Sequence, residues 1–436
     1  MSPAPSSRPW YTRIGPGLIT ACVVIGPGSI MTSSKVGVSQ GYAMLWVVAA
    51  SVLFMLVYMT LGAKLGAVAA QAPGDLIRMK AGRWLAMLVG LGVFFISAAY
   101  QSGNNIGVAA AFAAFVDSKW VVTGLVIAFN VLAIAFLFAF RDLYRWLERL
   151  MAVFVGLMLV SFAINLIRLQ PDPIAMLKGF IPSLGPSGQT PGGVDASGEA
   201  LAVLGLVGTT LVITAAFYQA YLVRQKGWKA EDLKHGLMDA RVGSVIMFLI
   251  TVMLMSTAAA GLPRDGSAPL NDPADVAKAL EATFGPSAKV IFCVGLFSAA
   301  YSSFLVNSMI GGFMAADGLG LGSRPDQLGP RMLTTVALLT GMAVGVAVLA
   351  FDFDRTPTII AAQAVTVIAA PLVAGVLLWL TSSRDIMGDH VNGPIATSLG
   401  TVGLLILIAM AAKIAFKDLP AQIDKYRTPP AAETRA

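Results

Sequence analysis

The sequence predicts an all-α polytopic membrane protein with eleven transmembrane helices. Three observations predict it. The chain of 436 residues is 57% hydrophobic and only 12% charged, whereas a soluble domain carries about 25% charged residues. Its apolar residues gather into eleven runs of roughly the 17–25 residues that cross a bilayer as helix. Lys and Arg fall unevenly on the loops between those runs, the asymmetry that orients a membrane protein.

The first run, 14–38, follows a polar, Pro-rich tail (1–13) and is interrupted by Ile25-Gly26-Pro27-Gly28-Ser29. Glycine's backbone freedom and proline's missing N–H break a helix there. Broken backbone at membrane depth is tolerated only where it is buried in protein or lines a cavity, so this break marks a candidate site. Runs two to five follow at 43–63, 84–113, 120–140 and 149–169. The third carries three amides within Tyr100-Gln101-Ser102-Gly103-Asn104-Asn105, more than helix packing usually needs. A Pro-, Gly- and Ser-rich loop, 170–198, separates it from the second half. The sixth run, 199–223, has its own weak point at Thr209-Thr210 and Thr214-Ala215-Ala216. Runs seven to ten are 241–261, 287–317, 331–351 and 357–381, and 395–415 is the eleventh. The third and eighth are long enough to tilt or to extend beyond the bilayer. Residues 272–284 read as a short amphipathic helix, with Val276, Ala277, Leu280 and Phe284 on one side. The tail 416–436 is polar, and Pro429–Ala436 is expected to be disordered.

Five spans precede the sixth. The halves 14–169 and 199–381 therefore run in opposite directions, the parity an inverted repeat needs. A cytoplasmic N-terminus puts more than twice as many Lys and Arg inside as outside, among them Lys64, Arg78, Lys80, Arg83, Arg141, Arg145 and Arg149. The C-terminus then lies outside, in a multi-pass protein of the plasma membrane. These basic clusters read as orientation rather than nucleic-acid recognition. No cleavable signal peptide is evident in Met1–Tyr11. Cys22 and Cys293 lie far apart in apolar runs, and His235 and His390 fall in polar loops. A histidine-rich metal centre is excluded. No intramembrane His, Asp or Glu is available as a catalytic base, so an enzyme is not expected.

Gly26-Pro27-Gly28-Ser29-Ile30-Met31-Thr32-Ser33, then Gly41-Tyr42 and Leu45-Trp46, resembles the first-helix signature of the Nramp family, D-P-G-N-x-A-T followed by G-Y and L-L-W. Gly295-Leu296-Phe297-Ser298 with Ser302-Ser303 is similar to its eighth helix. Gln363, Pro371, Met387-Gly388 and Val391-Asn392-Gly393 resemble its tenth helix and the following loop. The resemblance covers essentially the whole chain. It implies a LeuT-like fold, with two inverted five-helix repeats and helices one and six unwound at the substrate site. It also implies inward transport of divalent metals, often with protons.

The departures from that family fall on its chemistry. The family's metal-binding Asp aligns with Gly26 and its Asn with Ser29. Its sixth-helix M-P-H aligns with Val212-Ile213-Thr214, and the acidic pair of its third helix is replaced by Gln101 and Asn104. Hard divalent cations want oxygen ligands, usually with carboxylates among them, and softer ones want Met, Cys or His. Dehydrated Mn²⁺ or Fe²⁺ binding of the family type, and proton coupling through a buried carboxylate, are therefore not expected. Three readings stay open. A more hydrated cation such as Mg²⁺ binds neutral oxygens; a neutral or anionic solute binds near Lys35 and the positive ends of half-helices; or the chain is a transport-inactive sensor. Lys35 also has a bland reading, a long stem reaching the interface.

The expected substrate-binding residues are Gly26, Ser29, Thr214, Ala215, Gln219 and Gln363. Lys35, Gln101, Asn104 and Asn105 form a polar pathway, and Pro27 and Gly28 make the helix break. No residue is assigned as a metal ligand, and no cofactor is expected. The partners are a small ion or small-molecule substrate and the lipid bilayer, with no nucleic acid, for a monomer.

Overall fold

Proline and glycine punctuate this chain, and the helices obey them. A computed structural model describes residues 15–140, 142–183, 196–262, 270, 273–351 and 355–418, with backbone only over 196–202, 283, 355–366 and 417–418. Every regular element among the described residues is helical. The first half contains α1 (Pro16–Val24), α2 (Pro27–Gln40), α3 (Leu45–Val68), α4 (Pro73–Ala81), α5 (Arg83–Ala113), α6 (Lys119–Ala139), α7 (Leu143–Leu169) and α8 (Pro173–Lys178). The second contains α9 (Ala196–Thr210), α10 (Ile213–Lys226), α11 (Leu233–Gly261), α12 (Pro273–Phe284), α13 (Pro286–Leu319), α14 (Leu328–Ala350), α15 (Arg355–Ser382), α16 (Arg384–Met387) and α17 (Pro394–Lys413). Proline opens seven of them, α1, α2, α4, α8, α12, α13 and α17. The first helical position needs no N–H, and proline's φ is already helical. Gly227 and Gly320 close α10 and α13 at φ +78, the left-handed conformation that suits glycine at a helix end.

Nine described helices are long and apolar enough to cross a membrane, and eleven if each of two bent pairs is one span. The first span is the pair α1 and α2, bent by 57°. The sixth is α9 and α10, separated by Leu211 and Val212. That break falls between the two weak points read from the sequence. The amphipathic segment is α12, with Val276, Ala277 and Leu280 buried. The tails 1–13 and 419–436, and residues 184–195 of the loop 170–198, lie outside the described residues.

Burial sorts the helices. In α13 nearly every residue from Leu296 to Gly318 is buried. By contrast α6, α14 and α17 leave Leu132, Val344 and Leu405 exposed on outer faces, as expected where lipid tails replace core. Small residues bring the inner helices close. A Cβ at Gly62 would sit 2.1 Å from the Ala216 carbonyl oxygen, and one at Gly66 would sit 2.4 Å from that of Ala220. These two glycines are four apart, the small-xxx-small spacing that lets membrane helices touch backbone to backbone. They seat α3 directly on α10.

Two carboxylates complete the interior. Asp239, nearly two turns into α11, accepts the Gly15 N–H at 2.7 Å and the Gly17 N–H as well. It therefore satisfies donors that α1 leaves open at its amino end. Asp317, at the end of α13, accepts the Gly74 N–H at 2.7 Å and the Tyr221 hydroxyl at 2.6 Å. Both acids sit near the ends of apolar spans, as the sequence indicates, yet both are buried.

Candidate site at the break of the first helix

Pro27 decides the geometry. It has no N–H, so the Val23 carbonyl, four residues back, loses its helical donor. The Ser303 hydroxyl on α13 donates to that carbonyl instead, at 3.2 Å. Gly26 is extended, at φ −113 and ψ −178, and the ladder restarts with Ile30 N–H donating to Gly26 O at 3.1 Å. The Pro27 ring lies against Gly107 of α5, where a Cβ would stand 2.1 Å from the ring. The break is thus pinned by α5 and α13 rather than left as a loose loop.

A small cavity opens at this break, with room for the centre of about one water-sized sphere (10 Å³). The first helix contributes Val23, Val24, Gly26, Gly28 and Ser29. Helix α5 adds Tyr100, Gly103 and Asn104, α9 adds Thr209, and α13 adds Ser303. Ser29 Oγ is buried and has no hydrogen-bond partner. Thr209 Oγ1 lies 3.1 Å from Thr32 Oγ1, tying α9 to α2. A second cavity of similar size surrounds the α9–α10 break, lined by Tyr100, Leu211, Val212, Ile213, Thr214, Val367 and Leu407 among others. Both cavities are mostly apolar in the surface they present, and Tyr100 borders both.

Behind the first cavity stands a ladder of amides. Asn104 Nδ2 donates to Gln101 Oε1 at 3.2 Å, and Asn105 Nδ2 donates to the Gln101 carbonyl at 2.7 Å. Asn130 of α6 donates to Asn105 Oδ1 at 2.7 Å. Gly341 and Gly345 of α14 let α5 press inward, since Cβ atoms there would strike Gln101 and Asn105.

The predicted residues separate into three groups. Gly26, Ser29, Gly28 and Asn104 meet at the first cavity, with Pro27 forming the break beside it. Thr214 lines the second cavity, its Oγ1 buried without a partner. Ala215 lines neither, and Gln219 is bonded to Thr20 in either orientation of its amide and lies beside Asp239. Gln101 and Asn105 form the ladder behind the cavity, and Lys35 is half-buried farther along α2. The Gln363 side chain lies outside the described residues. Sequence reasoning did not single out Ser303, Tyr100, Thr209 or Asn130 as site residues. The Ser302-Ser303 pair was visible, but nothing local says which serine faces the break.

The first cavity's polar groups are neutral: the hydroxyls of Ser29, Tyr100, Thr209 and Ser303 and the Asn104 amide, set in a mostly apolar lining. Neither cavity is lined by Asp, Glu, His or Cys, and among the described residues no three such groups cluster to hold a metal. The carboxyl end of α1 brings partial negative charge to the break, and the amino end of α2 brings partial positive charge.

Comparison with known proteins agrees with this architecture. A family model described as "Natural resistance-associated macrophage protein-like" matches residues 17–417. The "Divalent metal cation transporter MntH" of Chromohalobacter salexigens is 26% identical over 427 residues, covering 95% of this chain and 94% of that protein. The protein of that name in Deinococcus radiodurans is 25% identical over 407 residues, covering 91% and 88%. A mutant of the Eremococcus coleocola manganese transporter superposes with a TM-score of 0.79 at 19% identity, covering 99% of this chain and 91% of that one. A nucleobase-cation-symport-1 family transporter in a closed conformation gives 0.56 at 16% identity, covering 99% and 97%. The solved structures establish the fold.

Proposed function

The chain belongs to the Nramp family of membrane transporters, and from that membership we propose that it moves a metal ion across the membrane without the proton coupling usual in the family. The cation binds at the break of the first helix and keeps part of its hydration shell, and Mg²⁺ fits best. One observation carries this: the polar groups that line the cavity at the break are neutral, with no Asp, Glu, His, Cys, Lys or Arg among them. Mg²⁺ gives up its waters reluctantly and needs few protein ligands. A bare soft cation, left without carboxylate, thiolate or imidazole, would be far costlier to bury. With no carboxylate in the cavity, none is available there to hand a proton across.

Transport then follows alternating access. The two five-helix halves, 14–169 and 199–381, act as inverted repeats and rock about a site near the midplane. The N-terminus faces the cytoplasm and the C-terminus the outside. A second reading has one observation in its favour. Lys35 is a cation within the second half of the first span, and intramembrane charges are functional-site candidates by default. On that reading the cargo is a neutral or anionic solute.

Proteoliposomes loaded with a pH dye separate these readings. The expected result is saturable Mg²⁺ uptake without lumen acidification, and weaker Mn²⁺ uptake. Mn²⁺ uptake with acidification overturns the uncoupled reading. No uptake of either metal by folded protein overturns metal transport, and small anions are then tested with Lys35→Ala as the control.

A further inference from the structure

Resting on that reading, we infer that the side-chain ligands of the cation are Asn104 of α5 and Ser303 of α13, with Ser29, and that α10 supplies none. The walls of the first cavity come from α1, α2, α5, α9 and α13; no α10 residue is among them. The two α10 candidates face elsewhere. Thr214 borders the second cavity and not the first, and Gln219 is held by Thr20 beside Asp239.

The direction of Gly26 supports the same assignment. A side chain at this position would point first at Ser303 Oγ, 3.1 Å from the Cβ, and then at Asn104 Oδ1, at 3.4 Å. Two oxygens from neighbouring helices therefore converge on the space beside the break.

Their hydrogen bonds turn both oxygens into ligands. The Ser303 proton is committed to the Val23 carbonyl at 3.2 Å, so its remaining lone pairs are free to face a cation. The Asn104 amide nitrogen is committed to Gln101 Oε1 at 3.2 Å, which leaves Oδ1 on the Gly26 side. The Asn105–Asn130 bonds behind Gln101 hold that arrangement in register. Ser29 Oγ is buried with no partner at all. A buried polar atom in that state calls for an explanation, and a cation or its bound water supplies one. Three neutral oxygens suit a hard cation whose other positions stay filled by water and main-chain carbonyls.

The test is titration of the purified full-length protein with MgCl₂ alone, by isothermal calorimetry, with a thermal melt of each variant to confirm folding. Ser303→Ala and Asn104→Leu are expected to raise the Mg²⁺ Kd at least ten-fold. Ser303→Thr, which keeps the hydroxyl, is expected to stay near wild type. Thr214→Val is expected to bind as wild type does. The ligand assignment is overturned if wild type binds Mg²⁺ and folded Ser303→Ala and Asn104→Leu bind it equally well, or if Thr214→Val is the variant that weakens it. That result leaves metal transport standing. If folded wild-type protein binds neither MgCl₂ nor MnCl₂, the transport reading fails and this assignment fails with it.

Discussion

Gly26→Asp is the most informative single change, because it adds a charge to a cavity that has none. The backbone permits it, since Gly26 is extended at φ −113 rather than left-handed. The space nearly permits it. The new Cβ would stand 3.1 Å from Ser303 Oγ and 3.4 Å from Asn104 Oδ1, so these side-chain ends must give by a few tenths of an ångström. Such slight overpacking costs about 1 kcal/mol, at the low end of the usual range. The carboxylate is a greater burden. It has no counter-charge among the cavity-lining residues, so the metal-free variant loses stability. A divalent cation removes that penalty. A contact to a charged group is worth roughly 1.5–3 kcal/mol, about a ten- to hundred-fold tighter Kd.

The assay is Mn²⁺ binding by calorimetry, with a melt in rising MnCl₂, for wild type, Gly26→Asp and Gly26→Asn. The asparagine has the shape without the charge. Gly26→Asp should melt below wild type without metal and recover most of the difference with it, while Gly26→Asn should respond as wild type does. Equal Mn²⁺ affinity in folded wild type and Gly26→Asp would refute the reasoning, because the cavity at the break would then not be where the cation sits.

Other perturbations separate packing from binding. Gly107→Ala puts a Cβ 2.1 Å from the Pro27 ring; it should cost about 1–3 kcal/mol by melt and abolish uptake, although Gly107 does not line the cavity. Gly62→Ala drives a methyl to 2.1 Å from the Ala216 carbonyl and should lower Tm by separating α3 from α10, with Mg²⁺ affinity preserved if the ligands are those of α2, α5 and α13. The Lys80–Asp385 pair, at 2.9 Å, joins α4 to α16, and its hydrogen bond and charge hold the Asp385 carboxyl below its usual range. A depressed carboxylate contributes above its unfolded pKa and loses that contribution as pH falls through its folded value. Lys80→Met should therefore lower Tm slightly at pH 7, and the difference from wild type should shrink as the pH falls below the ordinary carboxylate range; the exposure of the pair keeps the effect small.

The membrane class, the span order and the first break are legible because each is written locally. Apolar runs of bilayer length, and a proline between glycines, need no tertiary knowledge. The amphipathic α12 is legible for the same reason. The second break was placed within a few residues but not on Leu211-Val212, because these two apolar residues look like ordinary span. The site was half legible. Ser29 and Asn104 stand out as polar residues in apolar surroundings, yet Ser303 meets the break only because Gly295 and Gly311 let α13 lie close to α7 and α5, with Phe162 and Ser97 where Cβ atoms would stand. Gln219 reads as a cavity residue from its position after the weak point. Its real surroundings are set by Thr20 of α1, to which it is bonded in either orientation of its amide, beside Asp239 of α11. That partnership depends on how α1, α10 and α11 converge, which no local pattern encodes.

That convergence can be tested at the amino end of α1. Asp239 holds the amino end of α1 through the Gly15 and Gly17 N–H groups. Hydrogen bonds to a charged group contribute about 1.5–3 kcal/mol each. Removing two approaches the roughly 5.5 kcal/mol that inverts a 99:1 equilibrium. Asp239→Ala should therefore shift α1 away from α7 and α11, although Asp239 itself does not line the cavity. Cys22 reports the movement. It is fully buried in α1, with its Sγ 3.7 Å from the Met151 carbonyl of α7. In a Cys293→Ser background, maleimide labelling of Cys22 should be at least ten-fold faster in Asp239→Ala than with Asp239 intact, while the helical circular-dichroism signal stays unchanged. MgCl₂ should slow the labelling again if the cation favours the closed site. Unchanged labelling in a folded Asp239→Ala protein would mean that packing alone, through contacts such as Gly17 on Gly243, keeps the first half-helix shut.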